Sequence, residues 1–328
     1  MNRRDFLKKS SVAAAAAMLA SRGITPGRAQ SDQTYYMVSF LSGISYWADA
    51  FRGMQDAAEC LGVEAIYTGT PEYDTTAEVR VLEETLGQEP DGVLLTVIQA
   101  DALQPTIDAA IDNGVPLVTF DADSPLSKRY AFLGTGNYYA GVVAARYIGP
   151  LVQSGKAAVV TVPSQNNLAL RTQGFIETLA AEFPDVVSGD AYIVDNQNTS
   201  EQAASGLSAL LQAEPDIRGV FSSNAQAAIG AAQAIREAGL SDQVHHIGFD
   251  FDEGTLDLID SGQLGATLAQ GTWQMGFWGL LFAYMVRNEL IESVSDWRAA
   301  GISPLPPNVD TGVVVINQSN SQFWRSGE

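Results

Sequence analysis

The stretch "VHHIGFDFDEG", Val244 to Gly254, gathers residue types that often do chemistry: three carboxylates, Asp250, Asp252 and Glu253, close behind the chain's only two histidines. Three chemistries are open to such a set: a metal site, a catalytic carboxylate pair, or a grip on a neutral ligand. Adjacent residues on a strand point to opposite faces, so His245 and His246 cannot hold one ion together. Both also lie at the start of the apolar run, a strand length from Asp250. Asp252 and Glu253 open a helical stretch, where carboxylates favour the positive end of the helix dipole, which argues against a glycosidase-type pair. Asp250 remains, at the point where the apolar run gives out.

Other catalytic signatures are missing. A dinucleotide fingerprint would follow the first strand, but "SFLSGISYWADAFRG" lacks its glycines. "GTGNYYAG", from Gly134, has Tyr138 and Tyr139 at its centre, and Asn137 reads as a helix cap. There is no Walker loop, and neither histidine stands at a strand's carboxyl end with a serine elbow. Cys60 is the only cysteine, which excludes an internal disulfide and a cysteine-based metal cluster. In "DAAECLG" it falls on the apolar face of a helical stretch and is expected to be buried and inert. The residues therefore predict no catalysis, no cofactor and no metal.

The elements that must position Asp250 follow from hydrophobic patterning. From Tyr35 onward, short unbroken apolar runs alternate with longer amphipathic stretches. "YYMVSFLS", "VEAIYTG", "DGVLLTV" and "VPLVTFD" read as strands, with "YWADAFRGMQDAAECLG", "TTAEVRVLEETLGQ" and "ADALQPTIDAAIDNG" as the helices between them. Unbroken apolar strands are expected where helices cover both faces of a parallel sheet. The pattern then restarts with "KAAVVTVP", "VSGDAYIVD", "RGVFSSN", "VHHIGFD" and "LGATLAQ", separated by helical stretches at 167–182, 200–213, 225–238 and 253–261. An aromatic helix, "TWQMGFWGLLFAYMVRNEL", a Pro-rich connector, "ISPLPPN", and a last strand, "GVVVIN", complete the chain. The fold class is α/β: two doubly wound parallel-sheet lobes in tandem. In open parallel sheets ligands bind at the carboxyl ends of strands. Asp121, Asn224, Asp250 and Gln270 stand at such ends, and none of them forms a phosphate cradle.

Residues 1–29 are set apart from the fold. Arg3 and Arg4 precede Phe6 and Leu7, a weakly apolar "SSVAAAAAMLA" follows, and small residues end at Ala29, as in a twin-arginine export signal. Removing it leaves 12 basic residues against 37 acidic ones, a net charge of −25, with Lys128 and Lys156 the only lysines. That surface repels nucleic acid and anionic lipid, and reads as an adaptation to salt.

The chain resembles the type I periplasmic sugar-binding proteins, the ribose- and galactose-binding group related to the ligand domains of LacI-type repressors. The resemblance rests on "YW" at Tyr46 and Trp47, "PLVTFD" ending at Asp121, "RTQGF" from Arg171, "GVFSSN" ending at Asn224, "HIGFD" ending at Asp250 and "LGATLAQ" ending at Gln270, in that order from Tyr35 to Ser319. It implies two lobes joined by a three-segment hinge, near Thr135, just after Gln270 and near Thr311. The N-terminal lobe would be 30–134 plus 271–310 and the C-terminal lobe 135–270 plus 311–328, closing on a small sugar or polyol. Delivery to an ABC transporter permease in the inner membrane, a periplasmic location and a monomeric state go with it. By the same resemblance Asp121, Asn224, Asp250 and Gln270 bind ligand hydroxyls, Tyr46 and Trp47 stack on the sugar, and Trp273 and Arg171 are further ligand candidates. A sugar's paired hydroxyls and apolar C–H face need such groups.

The sequence departs from the ribose-type pattern at several points. Ala122 follows Asp121 where that pattern has Arg, Ala169 replaces a second Arg, Ala225 follows Asn224, and Asn198 in "VDNQNTS" stands for an aromatic. With two guanidinium groups gone and the carboxylates kept, the ligand need not be ribose. A sensory ligand-binding subunit of a membrane receptor and a binder of a small cationic solute remain as alternatives.

Overall fold

The computed structural model describes residues 32–325, so the export signal read in residues 1–29 lies outside the described residues. The chain divides into two compact units, residues 32–134 with Thr272–Thr311 and residues Thr135–Gly271 with 312–325.

In the first unit, β1 (Thr34–Ser39), α1 (Ser45–Leu61), β2 (Glu64–Gly69), α2 (Thr75–Leu86), β3 (Gly92–Leu95), α3 (Ala100–Asp112), β4 (Leu117–Phe120) and β5 (Phe132–Gly134) follow in order. The second unit continues with α4 (Asn137–Val152), β6 (Gly155–Thr161), α5 (Asn166–Glu182), β7 (Val186–Val187), β8 (Ile193–Asp195), α6 (Ser200–Ala213), β9 (Ile217–Ser222), α7 (Ala225–Glu237), β10 (His245–Phe249), α8 (Glu253–Asp260) and β11 (Ala266–Gln270). The chain then returns to the first unit for α9 (Thr272–Arg287) and β12 (Asn308–Asp310), and ends in the second with β13 (Val313–Ile316) and a 3-10 turn at Ser321–Phe323.

The first sheet runs β12-β5-β4-β3-β1-β2 with every pairing parallel. The second runs β13-β11-β10-β9-β6-β7, with β8 also on β6 and only β13 antiparallel. Strands β3 and β4 are buried at every position, as their unbroken apolar runs require. Four helices start on a side-chain cap: Asp74 accepts from Ala77 N–H, Thr199 from Gln202, Asn224 from Ala227 and Asp252 from Thr255. Each satisfies an amide that the first helical turn would otherwise leave unpaired.

Helix α9 is apolar nearly all round. It buries Met275, Phe277, Leu280, Ala283 and Tyr284 in the core of the first unit with Tyr35, Met37, Trp47, Leu94 and Phe120. It lies so close to α1 that a Cβ on Gly276 would overlap the Ala50 carbonyl oxygen, and one on Gly53 the Trp273 carbonyl oxygen. The second unit repeats the device between α4 and α5, where Gly141 faces the Arg171 carbonyl and Gly174 that of Tyr138.

Several sequence expectations change. The short strands β5 and β12 were not expected, and β12 begins at the last residue of the stretch read as a connector. The run "VSGDAYIVD" is not one strand; a 3-10 turn at Asp190–Tyr192 divides it. Cys60 is exposed. The buried stripe of α1 runs through Trp47, Ala50, Met54, Ala57 and Ala58, and Cys60, in the last turn, falls beside it. Asn137 is the first residue of α4 and not its cap.

Glu78, in the first turn of α2, is fully buried; one carboxyl oxygen accepts from Ile98 N–H at 3.0 Å and the other has no partner. Burial raises its pKa from 4.5 to about 7, against the smaller effect of the Ile98 bond. The unfolded chain releases this proton first, so the stabilising contribution is complete below about pH 4.5 and lost as pH rises through about 7. A shift of this size is worth about 3 kcal/mol. Urea unfolding at pH 5 and pH 8 should show this decline in the wild type and a flatter profile in Glu78→Gln; identical profiles would refute it.

Candidate functional site

Both units place an aspartate directly after a buried Phe at a strand end. Asp121 follows Phe120 at the end of β4 with φ +61°, and Asp250 follows Phe249 at the end of β10 with φ +63°. These are left-handed conformations that Asp tolerates better than most residues. In each case the backbone N–H donates to the neighbouring strand, Asp121 to the Leu133 carbonyl at 3.0 Å and Asp250 to the Leu268 carbonyl at 2.8 Å. The turn lifts the side chain off the sheet at its carboxyl edge, where open α/β sheets bind ligands.

In the first unit the Tyr46 hydroxyl donates to Asp121 Oδ1 at 2.6 Å. Tyr46 lies in the first turn of α1 and is partly exposed. Its neighbour Trp47 is 2% exposed; its ring meets Phe40, Tyr46 and Phe120 edge-on, and its indole N–H is spent on the Phe40 carbonyl. Trp47 therefore belongs to the core that supports Tyr46. Trp273 departs further from the sequence expectation. Its indole donates to Asp56 Oδ2 at 2.8 Å and its ring stacks on Phe277, while Asp49 caps the start of α9 by accepting from Thr272 Oγ1 and Trp273 N–H. Asp56 lies three turns along α1 from Tyr46, about 15 Å away at helical rise, so the Trp273 ring is committed to joining two helices.

In the second unit Asp250 sits in a network. Gln270 Nε2 donates to Asp250 Oδ1 at 2.7 Å, while Gln270 Oε1 accepts from Thr135 Oγ1 at 2.7 Å and from Arg171 at 3.4 Å. The two donors on Oε1 orient the amide so that its N–H reaches the carboxylate. Arg171, 4% exposed, donates to Asn137 Oδ1 and to the Ser223 carbonyl, both at 2.8 Å, and its guanidinium lies 3.6 Å over the Phe249 ring. Burial raises the Asp250 pKa above the ordinary carboxylate range, and Arg171 and Gln270 counter it in part. This arrangement presents an acceptor held in a fixed direction and poorly hydrated, which favours a partner that brings its own hydroxyl donors.

Asn224, at the N-cap of α7, faces Asn196, each amide donating to the other at 3.4 Å. Asn196 is fully buried immediately after β8, two residues before Asn198, the position to which the resemblance points. Asn198 lies exposed in the turn beyond, with φ +59°. The end of β8 at Asp195 is the signal that separates the two. No ligand motif marks Thr135, Asn137 or Ser223, whose contribution is to hold Gln270 and Arg171. His246 is buried on Ser222 at 2.9 Å, and burial lowers its pKa to about 3, so it stays neutral. His245 is exposed.

Two doubly wound α/β units, with three chain passages between them and an aspartate raised at a strand end in each, define a two-lobed binding-protein architecture. The chain belongs to the periplasmic binding protein domain family, whose model matches residues 35–289. Among similar solved structures, an arabinose-binding protein from Geobacillus stearothermophilus is 36% identical with a TM-score of 0.85, covering 90% of this chain and 100% of that one. The sugar-binding protein of a sugar ABC transporter from Bacillus halodurans is 38% identical with a TM-score of 0.84, covering 89% and 100%. A xylose/arabinose-binding protein from Sulfolobus acidocaldarius is 26% identical over 290 residues, 82% of this chain and 67% of that protein.

Proposed function

We propose that this protein is a solute-binding protein that captures a small neutral sugar, a pentose first among them, and delivers it to an ABC permease. The observation that carries this reading is Asp250: a carboxylate at a strand end, oriented by Gln270 and backed by Arg171, suited to accepting hydroxyl protons. Asp121 with Tyr46 supplies a comparable acceptor in the first unit. The family and the arabinose- and xylose/arabinose-binding relatives support the pentose. Binding without turnover is part of the reading, as neither histidine accompanies Asp250 at its strand end. So are export by the twin-arginine signal in residues 1–29, a periplasmic location and a monomeric state. The acidic balance of the chain argues against nucleic acid as a partner.

A thermal-shift screen of the mature protein against arabinose, xylose, ribose, hexoses, polyols and small quaternary amines tests it, since a ligand that binds the folded state raises the melting temperature. We expect the largest rise with a pentose; ligand at a hundred times its Kd stabilises by about 2.7 kcal/mol. A rise with amines alone would overturn the ligand class.

A further inference from the structure

The two strand-end aspartates share a backbone conformation, but the residues that follow them are secured differently. After Asp121, the carboxylate of Asp123 takes both Nε and Nη2 of Arg129 at 2.5 Å and the Thr119 hydroxyl at 2.6 Å. The Asp123 clamp closes within one loop and the strand before it, and Arg129 is tied in turn to the Pro307 carbonyl at 2.7 Å and Asn308 Oδ1 at 3.2 Å, so no aromatic or helix-long contact is needed there. After Asp250, the corresponding loop leans on the far end of the chain. The Phe251 ring meets Trp324 edge-on at 5.2 Å. Arg325 donates to Glu253 Oε2 at 2.8 Å, Asp257 Oδ1 at 2.8 Å and Asp260 Oδ2 at 2.6 Å, and Ser321 Oγ donates to Asp260 Oδ1 at 2.6 Å. Helix α8 has eight residues, its charged side chains are these three acids, and they recur at i, i+4 and i+3. Like charges at those spacings destabilise a helix, so Arg325 supplies the cation the helix lacks.

We propose that Trp324 and Arg325 are positioning residues for Asp250: the C-terminal segment straps down Phe251 and α8, and thereby fixes the left-handed turn that aims the carboxylate. The strap acts on ligand affinity through Asp250, so this step rests on the reading of Asp250 as a ligand group. Three features favour it. Phe251 is the residue directly after the turn, Asp252 begins α8 by capping Thr255, and every charged side chain of α8 ends on the same guanidinium. A displacement of the strap is therefore transmitted to the turn within two residues.

Hydrogen exchange on the full-length, unliganded protein tests the strap without any ligand. Trp324→Ala and Arg325→Gln should speed exchange of the 250–256 amides about tenfold or more, leave the 119–124 amides of the first unit unchanged, and Trp324→Phe should restore the wild-type rate. Calorimetric titration with arabinose supplies the second readout, with Asp250→Asn as the control. Faster exchange with arabinose affinity weakened about tenfold in Trp324→Ala supports the inference. Unchanged exchange overturns it. Faster exchange with unchanged affinity, where Asp250→Asn has lost binding, also overturns it while the reading of Asp250 stands. Undiminished binding in Asp250→Asn sinks that reading and the inference together.

Discussion

Replacing Asp250 by Asn should weaken sugar binding about a hundredfold and leave the melting temperature of the unliganded protein unchanged or higher. Asn has the same size, tolerates the left-handed turn, and its Oδ1 can still accept from Gln270. What disappears is the charge. Hydrogen bonds to a charged group contribute about 1.5–3 kcal/mol each, and loss of about 2.7 kcal/mol is a hundredfold in Kd. The unliganded protein responds in the other direction, because burial makes ionised Asp250 costly. Its folded pKa lies above the ordinary value, so its stabilising contribution is present at low pH and lost as pH rises through the folded value. The amide removes that loss. Titrating the wild type with the best pentose at falling pH should show affinity declining while ordinary aspartates remain ionised, and Asp250→Asn should be nearly flat. Equal affinity of the two proteins at pH 7 would refute the assignment.

The second large effect concerns stability. An alanine in place of a helical glycine ordinarily gains about 1 kcal/mol, but Gly276→Ala should cost about 3 kcal/mol or more. Its methyl would overlap the backbone carbonyl of Ala50, which is fixed within α1, so the whole helix must shift. Gly279, one turn further along α9, is the control: a Cβ there meets the end of the Leu94 side chain, 2.8 Å away, and a side chain can rotate aside. Urea unfolding should rank the variants wild type, Gly279→Ala, Gly276→Ala in falling stability. Equal costs at 276 and 279 would show that α1 and α9 approach less closely than the Gly276–Ala50 contact requires.

The strand ends were legible because the sequence carries a strong signal there: an unbroken apolar run stops, and a polar residue stands at the stop. That places Asp121, Asn224, Asp250 and Gln270 at carboxyl ends without any knowledge of the sheet order. Strands β5 and β12 carry no such signal, since three residues set up no periodicity and their pairing is nonlocal. Aromatic residues were legible as large and apolar but not as to direction. Trp47 and Trp273 both fit a stacking role by type, and packing against Phe40 and Phe120 in one case and a bond to Asp56 in the other decided their places. The choice between Asn196 and Asn198 depended on where a three-residue strand ends, which propensity does not resolve. Nothing in the sequence signals the left-handed turns at Asp121 and Asp250, because neither is a glycine.

The return of α9 and β12 to the first unit bears on how the chain reaches its native state. The Arg129 guanidinium bonds the Pro307 carbonyl across 178 residues of chain, and β5 waits equally long for its edge partner β12. Closing so long a loop slows folding far more than it lowers final stability. Until α9 has been synthesised, the sheet positions it covers, Leu94 and Val118 among them, have no lid. A nascent chain halted at Gly134 would hold five of the six strands of its sheet and an open apolar face, the kind of surface that recruits chaperones or aggregates. The order of synthesis thus leaves the first unit to be completed after most of the second has emerged.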